Sequence, residues 1–228
     1  MLEAWILFFK IPSIFPFFHT SYLNLLKGFL LIVIALLWTH IVLSYTSHHY
    51  LAFLYPVVKE TAFLTWLLIL DQLQVYFIGG TQDVDLNEHR LLSVVEEACR
   101  GGVTCFQFRE KGMGTLEGQQ KLELAQQLQQ ICAKYNVLYI INDDVDLAVA
   151  VNADGVHVGQ EDMRLEEVRN LVGHKVIGIS IHSVEELRKT DVVYADCVGV
   201  GPMYATSSKP DAQEPCGPNR ISELQAEG

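Results

Sequence analysis

Between Gln74 and Val200 the chain repeats one pattern: a short, near-continuously apolar run, then a longer segment with apolar residues at helical spacing. The runs 74–78, 103–108, 137–141, 155–158, 175–179 and 197–200 read as strands. Between them, 86–100, 116–135, 145–151, 164–172 and 184–190 read as helices. In the first helix, Leu91, Leu92, Val95 and Ala98 keep a helical spacing, and Gly101-Gly102 ends it. Thr115 is the expected cap of the second. Strands that are apolar on both faces suit a parallel sheet covered by helices. Six such units imply a doubly wound sheet or a (β/α)8 barrel.

In either fold, ligands bind at the C-terminal ends of the strands, and here successive strand ends from the second run onward carry polar residues. After 103–108, Gln107, Arg109 and Lys111 fall on one side by alternation, so an amide and two cations converge. Arg offers a fork for phosphate oxygens and Lys a point charge. After 137–141 come Asn142, Asp143 and Asp144. Asp144 is the expected cap of the next helix, which leaves Asp143 for a metal. After 155–158 the turn Gly159-Gln160-Glu161 presents Asp162. Asp143 and Asp162 would share one hard cation such as Mg²⁺, completed by substrate phosphates. His157 lies inside a strand and reads as a hydrogen-bonded core residue. Ser180 follows the fifth run and could donate to a ligand or simply start a turn. The segment 199–209 then combines glycines, which permit close backbone approach, with Thr206, Ser208 and Lys209.

The first 72 residues differ in kind. Leu25–Tyr45 carries Lys27 as its one charge, and 21 residues at about 1.5 Å each match a bilayer core. That makes 25–45 a candidate transmembrane helix and membrane contact within a hydrophobic, helical extension; the competing reading is that this extension is foreign to the module that follows. Lys10, Lys27 and Lys59 balance Glu3, Glu60 and Asp71, so the net charge of −11 falls on 73–228. So acidic a domain is a poor nucleic-acid binder. The five cysteines form no C-x-x-C pair, which argues against a disulfide framework or zinc site and for a reducing compartment.

Taken in order, QFREK, INDDVDLA, ADGVHVGQED, GIS and GVGPMYATSSK resemble the thiamine-phosphate synthase family over about 73–222. The resemblance implies a TIM-type (β/α)8 barrel, a transferase, cytoplasmic unless the N-terminal segment attaches it to a membrane. Its small-molecule substrates would be hydroxymethylpyrimidine diphosphate and a thiazole phosphate, its cofactor Mg²⁺, and its products thiamine phosphate and pyrophosphate. Carried over by residue, Gln107, Arg109, Lys111, Asn142 and Lys209 would hold the pyrimidine diphosphate. Asp143 and Asp162 would bind Mg²⁺, Ser180 would touch the pyrimidine, and Thr206 and Ser208 would face the thiazole phosphate. Arg109, Lys111 and Lys209 are the catalytic candidates, because they would stabilise charge on the departing pyrophosphate.

Two departures accompany the resemblance. Ala205 stands where the family usually has Pro. The chain also ends where the family continues with further strands, so the expectation is a barrel truncated after about six β units. Residues 73–228 alone are expected to be inactive or to aggregate, unless a homo-oligomer covers the exposed edges. A thiazole tautomerase-like enzyme, or a non-catalytic remnant binding a thiamine precursor, are the alternatives.

Overall fold

The structure is a computed structural model that describes residues 6–8, 72–205 and 214–227. The candidate membrane helix 25–45 and the residues Thr206, Ser208 and Lys209 lie outside the described residues. Among those described, no helix is long and apolar enough to cross a membrane.

The strands are β1 (Ile6–Phe8), β2 (Tyr76–Gly79), β3 (Cys105–Phe108), β4 (Leu138–Asn142), β5 (Gly155–Val158), β6 (Val176–Ser180) and β7 (Cys197–Val200). They form one sheet in the order β1-β7-β6-β5-β4-β3-β2. From β2 to β7 every neighbouring pair is parallel and consecutive in the chain. A doubly wound sheet would reverse its order at a switch point. This sheet never does, so the barrel reading holds over these six units.

β1 corrects the helical reading of the extension at three residues. It pairs antiparallel with β7, with Leu7 opposite Gly199, and occupies the outer edge of the last parallel strand.

The helices are α1 (Glu88–Arg100), α2 (Gly118–Tyr135), α3 (Val145–Ala150), α4 (Leu165–Val172), α5 (Val184–Lys189) and α6 (Asn219–Glu227). α1 starts two residues later than its periodicity suggests, because Asp85 and Leu86 are both left-handed (φ 58°) before the Asn87 cap. Thr115 does not cap α2. Its hydroxyl donates to the Gly112 carbonyl instead, and Glu117 occupies the cap position without a side-chain bond. α6 buries Ile221 and Leu224, and Glu227 takes a two-point contact from Arg188 of α5.

Alternation along the strands sorts the core into two layers. Phe106, Phe108, Tyr139, Ile141, Val156, Val158, Ile177 and Ile179 join the helices' buried residues, such as Leu91, Val95, Leu124 and Val168, in one cluster. Each such side chain contributes roughly 1.5–3 kcal/mol by leaving water. The alternate residues, Cys105, Gln107, Ile140, Asn142, His157, Ser180 and Cys197, line the opposite face of the sheet. That face is concave. The half-buried Tyr76 of β2 has its phenol pushed well above the ordinary value, by burial first and then by the thiols of Cys105 and Cys197. A β2 side chain thus lies within electrostatic range of β7, across the interior.

Candidate active site

The polar residues of the interior lie towards the C-terminal ends of β3 to β6. β4 and β6 each run one residue further than their apolar runs, so Asn142 and Ser180 are the last residues of strands rather than the first of loops. Sheet pairing fixes them: Asn142 is level with His157, and Ser180 with Gly199.

Two side-chain pairs form there. Gln107, buried to 2% exposure, donates from Nε2 to Asn142 Oδ1 at 3.0 Å. His157 Nε2 lies 2.9 Å from Ser180 Oγ. The imidazole has room because the next two strands carry glycines where it passes. A Cβ on Gly178 would come within 2.3 Å of His157 Nδ1, and one on Gly199 within 3.0 Å of its Cε1. The Gly178-Ile-Ser180 motif is therefore a seat for the histidine as well as a strand end. His157 is a hydrogen-bonded interior residue, as its place within a strand implies. Its link to Ser180 is the part that the linear chain did not announce.

Above this layer the chain turns sharply after β4. Asp143 is left-handed (φ 61°), and its amide donates to the His157 carbonyl at 2.8 Å. The turn sends two adjacent carboxylates to different tasks. Asp144 Oδ1 accepts from the Leu147 amide at 3.0 Å and caps α3, while its Oδ2 meets Lys121 Nζ at 2.7 Å. Burial opposes ionisation of Asp144, but the Lys121 bond and the Leu147 amide together hold its carboxyl below the usual range. Asp143 instead accepts from Lys111 Nζ at 2.9 Å. The cation from the end of β3 and the carboxylate from the end of β4 are thereby brought together.

Asp162 closes its own turn, with Oδ2 accepting from the Gly159 amide at 2.7 Å. Although exposed as a residue, its carboxyl is held above the usual range, by local burial first and then by the adjacent Asp143 carboxylate. Gln160 does more than shape this turn. Its Nε2 donates to the Ser180 carbonyl at 2.7 Å and its Oε1 accepts from Thr190, which ties the Asp162 turn to the end of β6. No sequence signal singles out Gln160, since its partners lie 20 and 30 residues away.

A family model described as thiamine monophosphate synthase matches residues 75–228. The chain belongs to the thiamine monophosphate synthase family. Among its relatives, "Thiamine-phosphate synthase 1" of Streptococcus pneumoniae serotype 4 is 54% identical over 140 residues, covering 61% of this chain and 66% of the relative. The thiamine-phosphate synthase of Staphylococcus carnosus is 50% identical over 155 residues, covering 68% and 73%. A solved thiamine phosphate pyrophosphorylase from Pyrococcus furiosus superposes with a TM-score of 0.54 at 28% identity, covering 67% of this chain and 69% of that one. The chain thus spans about two thirds to three quarters of the length of the relatives it matches.

As in other barrels, this thiamine monophosphate synthase family member carries its polar residues at the C-terminal ends of its strands, on loops that the sheet holds apart. The Gln107–Asn142 and His157–Ser180 pairs form the floor. Lys111, Asp143 and Asp162 stand at the rim.

Proposed function

We propose that this chain carries out thiamine-phosphate synthesis, with pyrimidine-diphosphate binding at the rim formed by Lys111, Asp143 and Asp162. The observation that carries the reading is the pairing of Lys111 with Asp143 beside Asp162, at three consecutive strand ends. A cation paired with one carboxylate, with a second carboxylate beside it, suits a diphosphate accompanied by a divalent metal. They have no task in a tautomerase-type reaction, which needs no diphosphate grip.

The residues present fit Mg²⁺. Asp162 is held above its usual range partly because Asp143 is its neighbour, and a shared cation relieves that repulsion. Among the described residues no three His, Cys, Asp or Glu side chains converge into a ready-made cage. Mg²⁺ does not need one, because one or two carboxylates plus phosphate oxygens and water suffice. Asp143 and Asp162 would hold it, and bound there it would neutralise charge on the departing pyrophosphate.

The chain's own groups account for the rest. Lys111 and Arg109 supply positive charge where pyrophosphate develops negative charge. Gln107 and Asn142, already bonded to each other in the interior, orient the pyrimidine diphosphate beneath that rim. Ser180, fixed by His157, is the hydroxyl that contacts the pyrimidine. Loss of pyrophosphate leaves a positively charged pyrimidine methylene, and a thiazole nitrogen held close captures it, so positioning replaces much of the chemistry. That nitrogen carries no proton, and no general base is required. Thr206, Ser208 and Lys209, outside the described residues, are proposed for phosphate contacts on the resemblance alone.

The test is turnover by the 228-residue protein, supplied with both phosphorylated precursors and Mg²⁺ and assayed for thiamine phosphate. Product that is Mg²⁺-dependent and lost in Asp143→Ala/Asp162→Ala supports the reading. Mg²⁺-dependent binding of the pyrimidine diphosphate without turnover favours a precursor-binding protein instead.

A further inference from the structure

Glu110 lies between Arg109 and Lys111, and its carboxylate points away from the rim. Oε2 accepts from the Thr81 amide at 2.9 Å, and Oε1 accepts from both the Thr81 hydroxyl and the Leu116 amide, the latter at 2.9 Å. Thr81 is 1% exposed and opens the 3-10 turn Thr81–Asp83 that follows β2. Leu116 lies at the far end of the loop, just before α2, and packs against the core. One carboxylate therefore ties together three points: the loop after β2, the end of β3 and the approach to α2.

The backbone beside it is held as firmly. The Arg109 amide donates to the Gly79 carbonyl at 3.0 Å, and the Arg109 carbonyl accepts from Gln82 Nε2 at 2.7 Å. Gly80 must be glycine for this approach, since a Cβ there would lie 2.0 Å from the Arg109 oxygen. The side chain of residue 110 is fastened on the β2 side, whereas its neighbour in sequence turns towards β4. Lys111 reaches Asp143.

We infer that Glu110 is a positioning residue for diphosphate binding: bound by Thr81 and Leu116, it holds the 109–111 segment in the orientation that presents Arg109 and Lys111 to the diphosphate. This rests on the reading of the rim as a diphosphate site. The charge is needed because three donors converge on one group. An amide of the same size offers one accepting oxygen and turns an NH₂ toward a donor. A carboxylate accepting backbone N–H bonds also makes the stronger kind of hydrogen bond.

The experiment measures binding of inorganic pyrophosphate with Mg²⁺ by calorimetry, together with KM for each substrate, in the full chain and in Glu110→Gln. The expected result is a loss of about tenfold in pyrophosphate affinity, the scale of one hydrogen bond to a charged group. KM for the pyrimidine diphosphate rises in parallel, and KM for the thiazole phosphate stays within about twofold. Thr81→Val removes one donor and keeps shape and volume. It is expected to lose a smaller part of the same affinity, and adding it to Glu110→Gln costs less than the two single losses combined. Should Glu110→Gln fail to fold, Thr81→Val alone decides, because a loss confined to the diphosphate still supports positioning. Unchanged pyrophosphate affinity in the folded variants, or equal loss toward both substrates, overturns the role of Glu110 alone. A wild-type chain that does not bind Mg²⁺-pyrophosphate overturns the diphosphate reading and this inference with it.

Discussion

Lys111 Nζ stands 2.9 Å from Asp143 Oδ2, joining residues 32 positions apart through the ends of adjacent strands. The ammonium is half exposed and the carboxylate largely covered, so as a stability device the pair is worth little. On the proposed reading, its value lies in what can replace either partner. A divalent cation can take the carboxylate, and diphosphate oxygens can take the ammonium.

Lys111→Met should therefore leave the fold intact and weaken the diphosphate interaction. We expect kcat/KM to fall about 10²-fold, the usual scale for one electrostatic contact to developing charge. Steady-state kinetics with each substrate varied in turn checks this. A loss appearing only in KM for the thiazole phosphate would contradict the assignment.

Asp162→Asn carries a signed prediction for pH and metal. The folded carboxyl of Asp162 is held above its unfolded value, so ionising it costs stability as pH rises through the folded pKa. The asparagine variant without metal should melt slightly higher than wild type at pH 7. That advantage should vanish below the unfolded Asp value of about 3.9. Added Mg²⁺ should raise the wild-type Tm and leave the variant nearly unmoved. Equal Mg²⁺ shifts in both proteins would remove Asp162 from the metal site.

Asp144 has the opposite sign. Its folded carboxyl is lowered by Lys121 and the Leu147 amide, so its contribution is full above about pH 3.9 and lost as pH falls through the folded value. Asp144→Ala removes the α3 cap and should cost about 1 kcal/mol at pH 7. Asp144→Asn keeps a capping oxygen and removes the charge. Urea unfolding at pH 7 and pH 3 should show the asparagine deficit shrinking in acid. A pH-independent deficit would mean that the charge contributes nothing.

Gly178→Ala should disable the floor of the site. The new methyl would lie 2.3 Å from His157 Nδ1, and overpacking of this kind costs about 1–3 kcal/mol. The displaced imidazole would also release Ser180. Adding His157→Ala should recover the Tm and not the KM for the pyrimidine diphosphate. Failure of the second substitution to restore stability would show that the clash lies elsewhere.

The repeat of apolar runs and helical segments determined the six-unit parallel sheet, because buried strands and amphipathic helices each leave a periodic mark on the chain. The strings around Arg109, Asp143 and Asp162 also determined which strand ends carry charged and polar side chains, since these residue types cluster there in sequence. Local signals were less secure at boundaries. Thr115 looked like a cap but bonds the Gly112 carbonyl, and the left-handed Asp85 and Leu86 delay α1. The three-residue strand β1 shows no alternation long enough to read, and its pairing with β7 spans most of the chain. Tertiary structure alone decided which side chains meet: Lys111 with Asp143, His157 with Ser180 over Gly178, and Glu110 with Thr81. Such contacts are set by strand register and by the space that glycines leave. Periodicity tells which face a residue occupies, whereas its neighbour across the sheet is fixed only when the strands pair.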